Sequence, residues 1–184
     1  MRKNFGVKSW VYPQPVLMIG TYDADGRPDV MNAAWGGQYS GNQVMLCLGK
    51  HKTTDNIRLK GAFTVSFATA SQVVASDYVG IVSANDTPDK MEKSGFTTTK
   101  SGFVDAPLIN ELPMALECKL VKFNEDGNVI GEIVNVSADE SILDAEGNID
   151  AGKLDAIIFD PANATYLRLV EKVGNAFSDG AKLK

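Results

Sequence analysis

Two short segments hold residue types that could do chemistry. In Lys50-His51-Lys52-Thr53-Thr54-Asp55-Asn56-Ile57 and the residues up to Lys60, four Lys/Arg stand against one acid. That is a local +3 in a 184-residue chain of net charge −5. A helix beginning here would present free amides and the positive end of its dipole, and the threonine hydroxyls and an ammonium would complete a phosphate site. The same residues also suit an ordinary solvated, capped helix, and their spacing does not choose between the two. The second segment is Met31-Asn32-Ala33-Ala34-Trp35-Gly36-Gly37. Small residues and paired glycines beside Asn and Trp let backbone approach a flat ligand closely. A buried strand ending in a Gly-rich turn accounts for them equally well.

Other chemistries lack their residues. No Gly-x-Gly-x-x-Gly opens a strand–helix unit, and no Gly-x-x-x-x-Gly-Lys-Ser/Thr occurs, so neither a dinucleotide fold nor a P-loop is supported. One histidine, His51, and two cysteines, Cys47 and Cys118, give no metal-ligand set, and there is no Gly-x-Ser-x-Gly nucleophile elbow. Catalytic residues therefore stay unassigned, and any catalysis would rely on a borrowed cofactor. Both cysteines sit among apolar neighbours and read as buried, inert thiols. At 44% hydrophobic and 22% charged, the composition is that of a soluble globular chain of one-domain length, residues 1–184. Its acidity argues against nucleic acid and anionic membrane as partners. The start lacks an apolar signal core, and the longest uncharged run, Val30 to Gly49, holds too many amides and glycines to span a bilayer. A cytoplasmic location is expected.

The elements that must position these segments read mostly as strands. Val16 to Tyr22 and Asp29 to Trp35 flank an Asp-Gly turn, a hairpin signal. Val44 to Leu48 follows, then Phe63 to Phe67, whose alternation predicts a half-buried strand with Thr64 and Ser66 facing out. Helices are expected over Asp55 to Lys60 with Thr53 or Thr54 as cap, over Ser71 to Tyr78, and over Asp86 to Lys93 with Pro88 in the first turn. Thr97 to Pro113 reads as loop. Ala115 to Phe123 and Val129 to Val136 make a longer hairpin around Asn124 to Asn128, the second strand carrying apolar residues on both faces. Asp139 to Asp155 is acidic, with an exposed turn at Asp144 to Asn148. Many short strands with few helices point to a closed or partly closed β-barrel.

Several blocks, in order, resemble the flavin reductase-like family of FMN-binding split barrels, in particular its flavoredoxin branch. They are Pro13 to Val16 leading into Ile19-Gly20-Thr21, Gly26 to Trp35, Lys52 to Ile57, Asp77 to Gly80 with Asp89-Lys90, Asp105 to Ile109, Gly131 to Val134, and Tyr166 to Leu169. The resemblance implies a mainly β fold, a six-stranded Greek-key split barrel with a few flanking short helices. It implies FMN held non-covalently at a homodimer interface. Asn32, Ala33, Ala34 and Trp35 would line the isoalloxazine and ribityl chain, largely through backbone groups, with Cys47, Leu48 and Gly49 bordering the groove. Lys52, Thr53, Thr54 and Asn56 would hold the phosphate, in agreement with the local +3, and Ser83 and Lys90 join the set.

The implied function is an FMN-dependent oxidoreductase passing electrons to a small-molecule or protein acceptor, with NAD(P)H as a possible donor. One departure favours an alternative. The family's NAD(P)H-using reductases usually carry a Gly-Asp-His block before the strand matching Val129 to Val136, where this chain reads Asn124-Glu125-Asp126-Gly127-Asn128. A flavoredoxin-like electron carrier without direct NAD(P)H oxidation is the second expectation. His51 can touch phosphate or acceptor, or be a surface residue.

Overall fold

The first hairpin forms as its sequence requires. In the computed structural model, which describes residues 1–169 and 171–183, a short strand β1 (Gln14–Pro15) precedes β2 (Leu17–Tyr22). Strand β2 pairs antiparallel with β3 (Pro28–Ala33), from Leu17↔Ala33 to Tyr22↔Pro28. The Asp23 carboxylate fixes the turn by accepting from the amides of Asp25 and Arg27, each at 2.9 Å, while Gly26 takes a φ of +77°.

The next hairpin corrects the sequence reading. β4 (Gly36–Ser40) and β5 (Gln43–Leu46) pair antiparallel, so Gly36-Gly37 begins a strand where a turn was expected. A Cβ on Gly36 would lie 2.8 Å from the Met45 carbonyl oxygen and 2.8 Å from Leu46 Cδ2. Glycine serves there for close approach of backbone to β5 rather than for a turn.

A second correction concerns β6 (Ala62–Phe67), which is buried on both faces. Thr64 and Ser66 do not meet water, because a small hairpin covers them: β7 (Thr98–Lys100) and β8 (Pro107–Ile109), in the stretch expected to be loop. The Thr64 hydroxyl donates to the Pro107 carbonyl at 2.6 Å. The long hairpin β9 (Met114–Phe123) and β10 (Val129–Ala138) is as expected, except that β10 is buried on both faces only over Val129 to Gly131. Beyond Glu132 one of its faces is exposed, Val134 and Val136 included. β11 (Ile157–Asp160) and β12 (Thr165–Arg168), which the sequence pattern did not reveal, join β1 in a separate sheet ordered β1-β11-β12.

The main sheet is ordered β3-β2-β6-β9-β10-β5-β4, every neighbouring pair antiparallel. It has seven strands rather than the expected six, the extra one being β4. Its two edge strands are consecutive in sequence, joined only by Ala34-Trp35, so the sheet curls back on itself into a half-barrel. Leu17, Ile19, Ala33, Val44, Leu46, Phe63, Val65, Cys118 and Val129, from six strands, form the core inside the curl. Residues alternating with them, Val16, Met18 and Val30, join a second core on the outer face with Val79 and Phe96.

Among the described residues, four short α-helices flank the sheet. α1 (Lys52–Lys60) begins earlier than expected, with His51 as its N-cap residue, and ends at Gly61 with φ +64°. α2 (Val73–Ile81) follows a 3₁₀ turn at Ala70–Gln72. α3 (Lys90–Ser94) is shorter than expected, because Asp86 and Thr87 turn back onto the Ser83 carbonyl at 3.1 and 3.0 Å, and it stops at Gly95 as the sequence indicates. α4 (Ala151–Leu154) is capped by the Asp150 carboxylate, and the Asp144 to Asn148 turn is exposed as expected. No described helix is long and apolar enough to cross a membrane.

Candidate functional site

Because β3 is an edge strand, half of its amides and carbonyls face away from β2. They look onto a groove of about 240 Å³ walled by Met31, Asn32, Ala33, Ala34 and Trp35 on one side and by Cys47 and Leu48 on another. The Cys47 amide donates to the Trp35 carbonyl at 2.8 Å, which fastens the β3–β4 crossing to the end of β5 and brings these segments together. Cys118 is buried as expected, and burial pushes its thiol up to about 12, with the Glu117 carboxylate adding to it. Cys47 is only half-buried and belongs to the groove wall, which corrects its reading as a buried, inert thiol.

Helix α2 closes the groove. The Asn32 side-chain amide donates to the Ser76 carbonyl at 3.0 Å, and a Cβ on Gly80 would sit 3.0 Å from Asn32 Cβ, so the helix backbone packs directly on the Asn32 side chain. Asp77, Gly80 and Ile81 contribute to the lining, as do Phe159 of β11 and Tyr166 of β12. The Tyr166 hydroxyl donates to the Asp77 carboxylate at 2.7 Å. Burial pushes this phenol up to about 12, the bond to Asp77 adds to the shift, and Asn32 opposes it. The sequence reading did not place Asp77, Phe159 or Tyr166 in the site. Asp77 carried a usable signal, being the one charge within an otherwise apolar and small-residue helix.

A smaller recess continues from the groove, sharing Met31, His51, Gly80 and Ile81 with it. It is lined by Asp29, Lys52, Thr53, Ser83 and Lys90 and lies at the start of α1. The first bond inside that helix runs from the Asp55 amide to the His51 carbonyl at 3.2 Å. The amides of Lys52 and Thr53 precede it and have no acceptor within the helix, while Thr54 closes a reciprocal capping box with His51. Lys90 is 3% exposed, and its ammonium is 3.2 Å from the Asp29 carboxylate, whose other oxygen accepts from the Thr53 hydroxyl at 3.0 Å. The Ser83 hydroxyl accepts from the Asn85 amide at 3.2 Å, leaving its own proton for a further partner.

Not every expected side chain reaches this recess. The Thr54 hydroxyl accepts from the His51 amide at 2.8 Å and sits 2.9 and 2.8 Å from the carbonyls of Gly49 and His51, so it closes the helix start. Asn56 points the other way and donates to Thr21 at 3.0 Å beneath β2. Gly49, with φ +67°, forms the bend that carries the chain from Leu48 to His51. Two adjoining compartments result: a flat slot, apolar apart from Asn32, His51 and the Tyr166–Asp77 pair, and a recess of amides and ammonium groups around the Asp29 carboxylate. They suit a planar ring and an anion at opposite ends of one ligand. Among the described residues, no cluster of His, Cys, Asp and Glu suits a metal.

Comparison with known proteins fits this geometry. Residues 9–154 match the flavin reductase like domain. The flavoredoxin of Desulfovibrio vulgaris (Miyazaki F) is 38% identical and superposes with a TM-score of 0.93 over 98% of this chain and 100% of its own. The flavoredoxin of Methanosarcina acetivorans is 25% identical with a TM-score of 0.86, and each chain is covered in full. The 2-nitrobenzoate 2-nitroreductase of Pseudomonas fluorescens shares the fold at 22% identity and a TM-score of 0.79, covering 92% of this chain and 87% of its own. With its half-barrel and its ordered sequence blocks, the chain belongs to the flavin reductase-like split-barrel family.

Proposed function

We propose that residues 1–184 form one FMN-binding unit that moves electrons between a donor and a small-molecule or protein acceptor. The observation that carries this reading is the junction of slot and recess. The slot along the edge strand and the recess at the start of α1 share Met31, His51, Gly80 and Ile81 in their walls. The ring would lie against Asn32 to Trp35, bordered by Cys47, Leu48 and Gly49. The phosphate would lie among the amides of Lys52 and Thr53, the side chains of Lys52 and Ser83, and the Lys90 ammonium. Thr54 and Asn56 support this end from behind.

Bound FMN supplies the two-electron chemistry that no side chain here offers. The chain's own groups bind, orient and exclude water. Unpaired β3 amides are available to the polar edge of the ring, where they would favour added negative charge. Trp35, 56% exposed, lies at the rim and would be covered by a second copy in a homodimer with FMN at the interface. A cytoplasmic location is part of this reading, since two cysteines are too few for the disulfide framework of a small secreted domain.

The test is the visible spectrum of the purified protein together with an FMN titration. We expect flavin absorbance and saturable rebinding after its removal. A colourless protein that does not bind added FMN overturns the reading. A carrier without direct NAD(P)H oxidation is the second reading, favoured by the absence of His from Asn124 to Asn128 and by the likeness to flavoredoxins. Saturable NADH or NADPH oxidation with FMN as acceptor would exclude it.

A further inference from the structure

Within the recess, one buried carboxylate organises the groups around it. Asp29, on β3, is 3% exposed and holds Lys90 of α3 at 3.2 Å and Thr53 of α1 at 3.0 Å. Three elements far apart in sequence are thus tied at one point. Neutral residues would pack there at lower cost, since desolvating two charges offsets much of their attraction. The Lys90 ammonium has three protons, Asp29 takes one, and no other described acceptor lies within hydrogen-bond distance. A lysine side chain 4% exposed, lining a cavity with ammonium protons to spare, suits an anionic ligand. Thr53 gives its hydroxyl proton to Asp29, so only its amide remains for a ligand.

We infer that Asp29 is a positioning residue for phosphate recognition: it holds Lys90 at the amide end of α1 so that the recess accepts a phosphate monoester. The inference rests on the proposed FMN site. Asp29 itself does not meet the ligand, since two carboxylate oxygens already engaged, and a like charge, would repel a phosphate. Its effect passes through Lys90 and vanishes without it. The recess then separates flavins by their tails: FMN gains from Asp29, and riboflavin, without the phosphate, does not.

The test measures dissociation constants of FMN and riboflavin for the wild type, Asp29→Asn, Lys90→Met and the double variant. We expect Asp29→Asn to weaken FMN about tenfold or more, as loss of a charge-assisted contact does, and to leave riboflavin unchanged. Asp29→Glu should restore part of the FMN affinity. In the Lys90→Met background, Asp29→Asn should cost nothing further, and the double variant carries no orphaned charge that would unfold it. Parallel losses for FMN and riboflavin, unchanged FMN affinity in Asp29→Asn, or additive losses in the double variant each overturn the inference. If the wild type binds neither flavin, the proposed function itself fails, a result distinct from these three.

Discussion

Asp29 and Glu117 are two carboxylates buried in the same sheet, 3% and 1% exposed, and they are satisfied in different ways. Asp29 faces an ammonium and a hydroxyl at the edge of a cavity. Glu117, on β9, meets only neutral donors among the described residues: the Ser101 hydroxyl and the Asn135 side-chain amide, the latter at 2.6 Å. Ser101 in turn accepts from the amides of Phe103 and Val104 at 2.9 and 3.0 Å, so Glu117 fastens the 101–106 loop to the sheet. Oriented neutral donors are enough to fix a loop. A lysine is kept where a charge must remain on offer to something else.

That contrast is broken most directly at Asp29. Asp29→Ala leaves a buried ammonium without a counter-ion, a loss expected to cost about 3–5 kcal/mol of unfolding free energy in urea titrations. Asp29→Asn with Lys90→Met should recover most of it, because no charge is then stranded. If Asp29→Ala costs under about 1 kcal/mol, the pair is no buried ion pair and the contrast dissolves. At Glu117 the effect should be smaller and confined to stability. Glu117→Ala orphans the Ser101 hydroxyl and the Asn135 amide, for about 2–3 kcal/mol in total. FMN affinity should stay at the wild-type value, and a fall in it would show that Glu117 also serves the site.

Both carboxylates were illegible in the sequence, for the same reason. Asp29 stands beside a hairpin turn and Glu117 in an apolar run, and each acquires its role from partners 61 and 18 residues away. Local patterns did reveal what depends on neighbours in sequence: the Asp-Gly turn at Asp25-Gly26, the long hairpin around Asn124 to Asn128, and the basic helix start at Lys50 to Asp55. They failed where glycine packs inside a strand, as at Gly36, and where a second layer covers polar residues, as at Thr64 and Ser66. Asn32 to Trp35 stood out by residue type as a close approach for a flat ligand, and the family resemblance chose that reading over a Gly-rich turn. Tyr166 and Asp77 escaped because only the second, smaller sheet brings β12 against α2.

At the helix start the comparison sharpens to single groups. Lys52 and Thr54 look equivalent in sequence, but only Lys52 faces the recess with its side chain. Lys52→Ala should weaken FMN by about 1.5–3 kcal/mol in equilibrium titrations and leave the unfolding midpoint in place. Thr54→Ala should do the reverse, removing the capping hydroxyl for about 1 kcal/mol of stability with little change in flavin affinity. Equal losses of affinity in both would put the Thr54 hydroxyl on the ligand and refute its capping role.

Asp160 supplies the smallest test, of whether neutral donors alone keep a carboxylate charged. Hydrogen bonds, first from Asn163 and then from Tyr12, lower it from 3.8 to about 2, with the amides of Ala162 and Asn163 adding to them. In the unfolded chain the group titrates near its ordinary value, so between these two pH values the unfolded state binds more protons than the folded one. The stability contributed by Asp160 is therefore complete above about pH 4 and drains away as the pH falls towards about 2. Asp160→Asn, which does not titrate, should start less stable at about pH 6 and lose less between about pH 4 and pH 2, so that the two urea midpoints converge in acid. Curves that stay parallel across that window would mean that these neutral donors do not hold the charge, and the account of Glu117 as a carboxylate satisfied without a cation would lose its closest analogue in the same molecule.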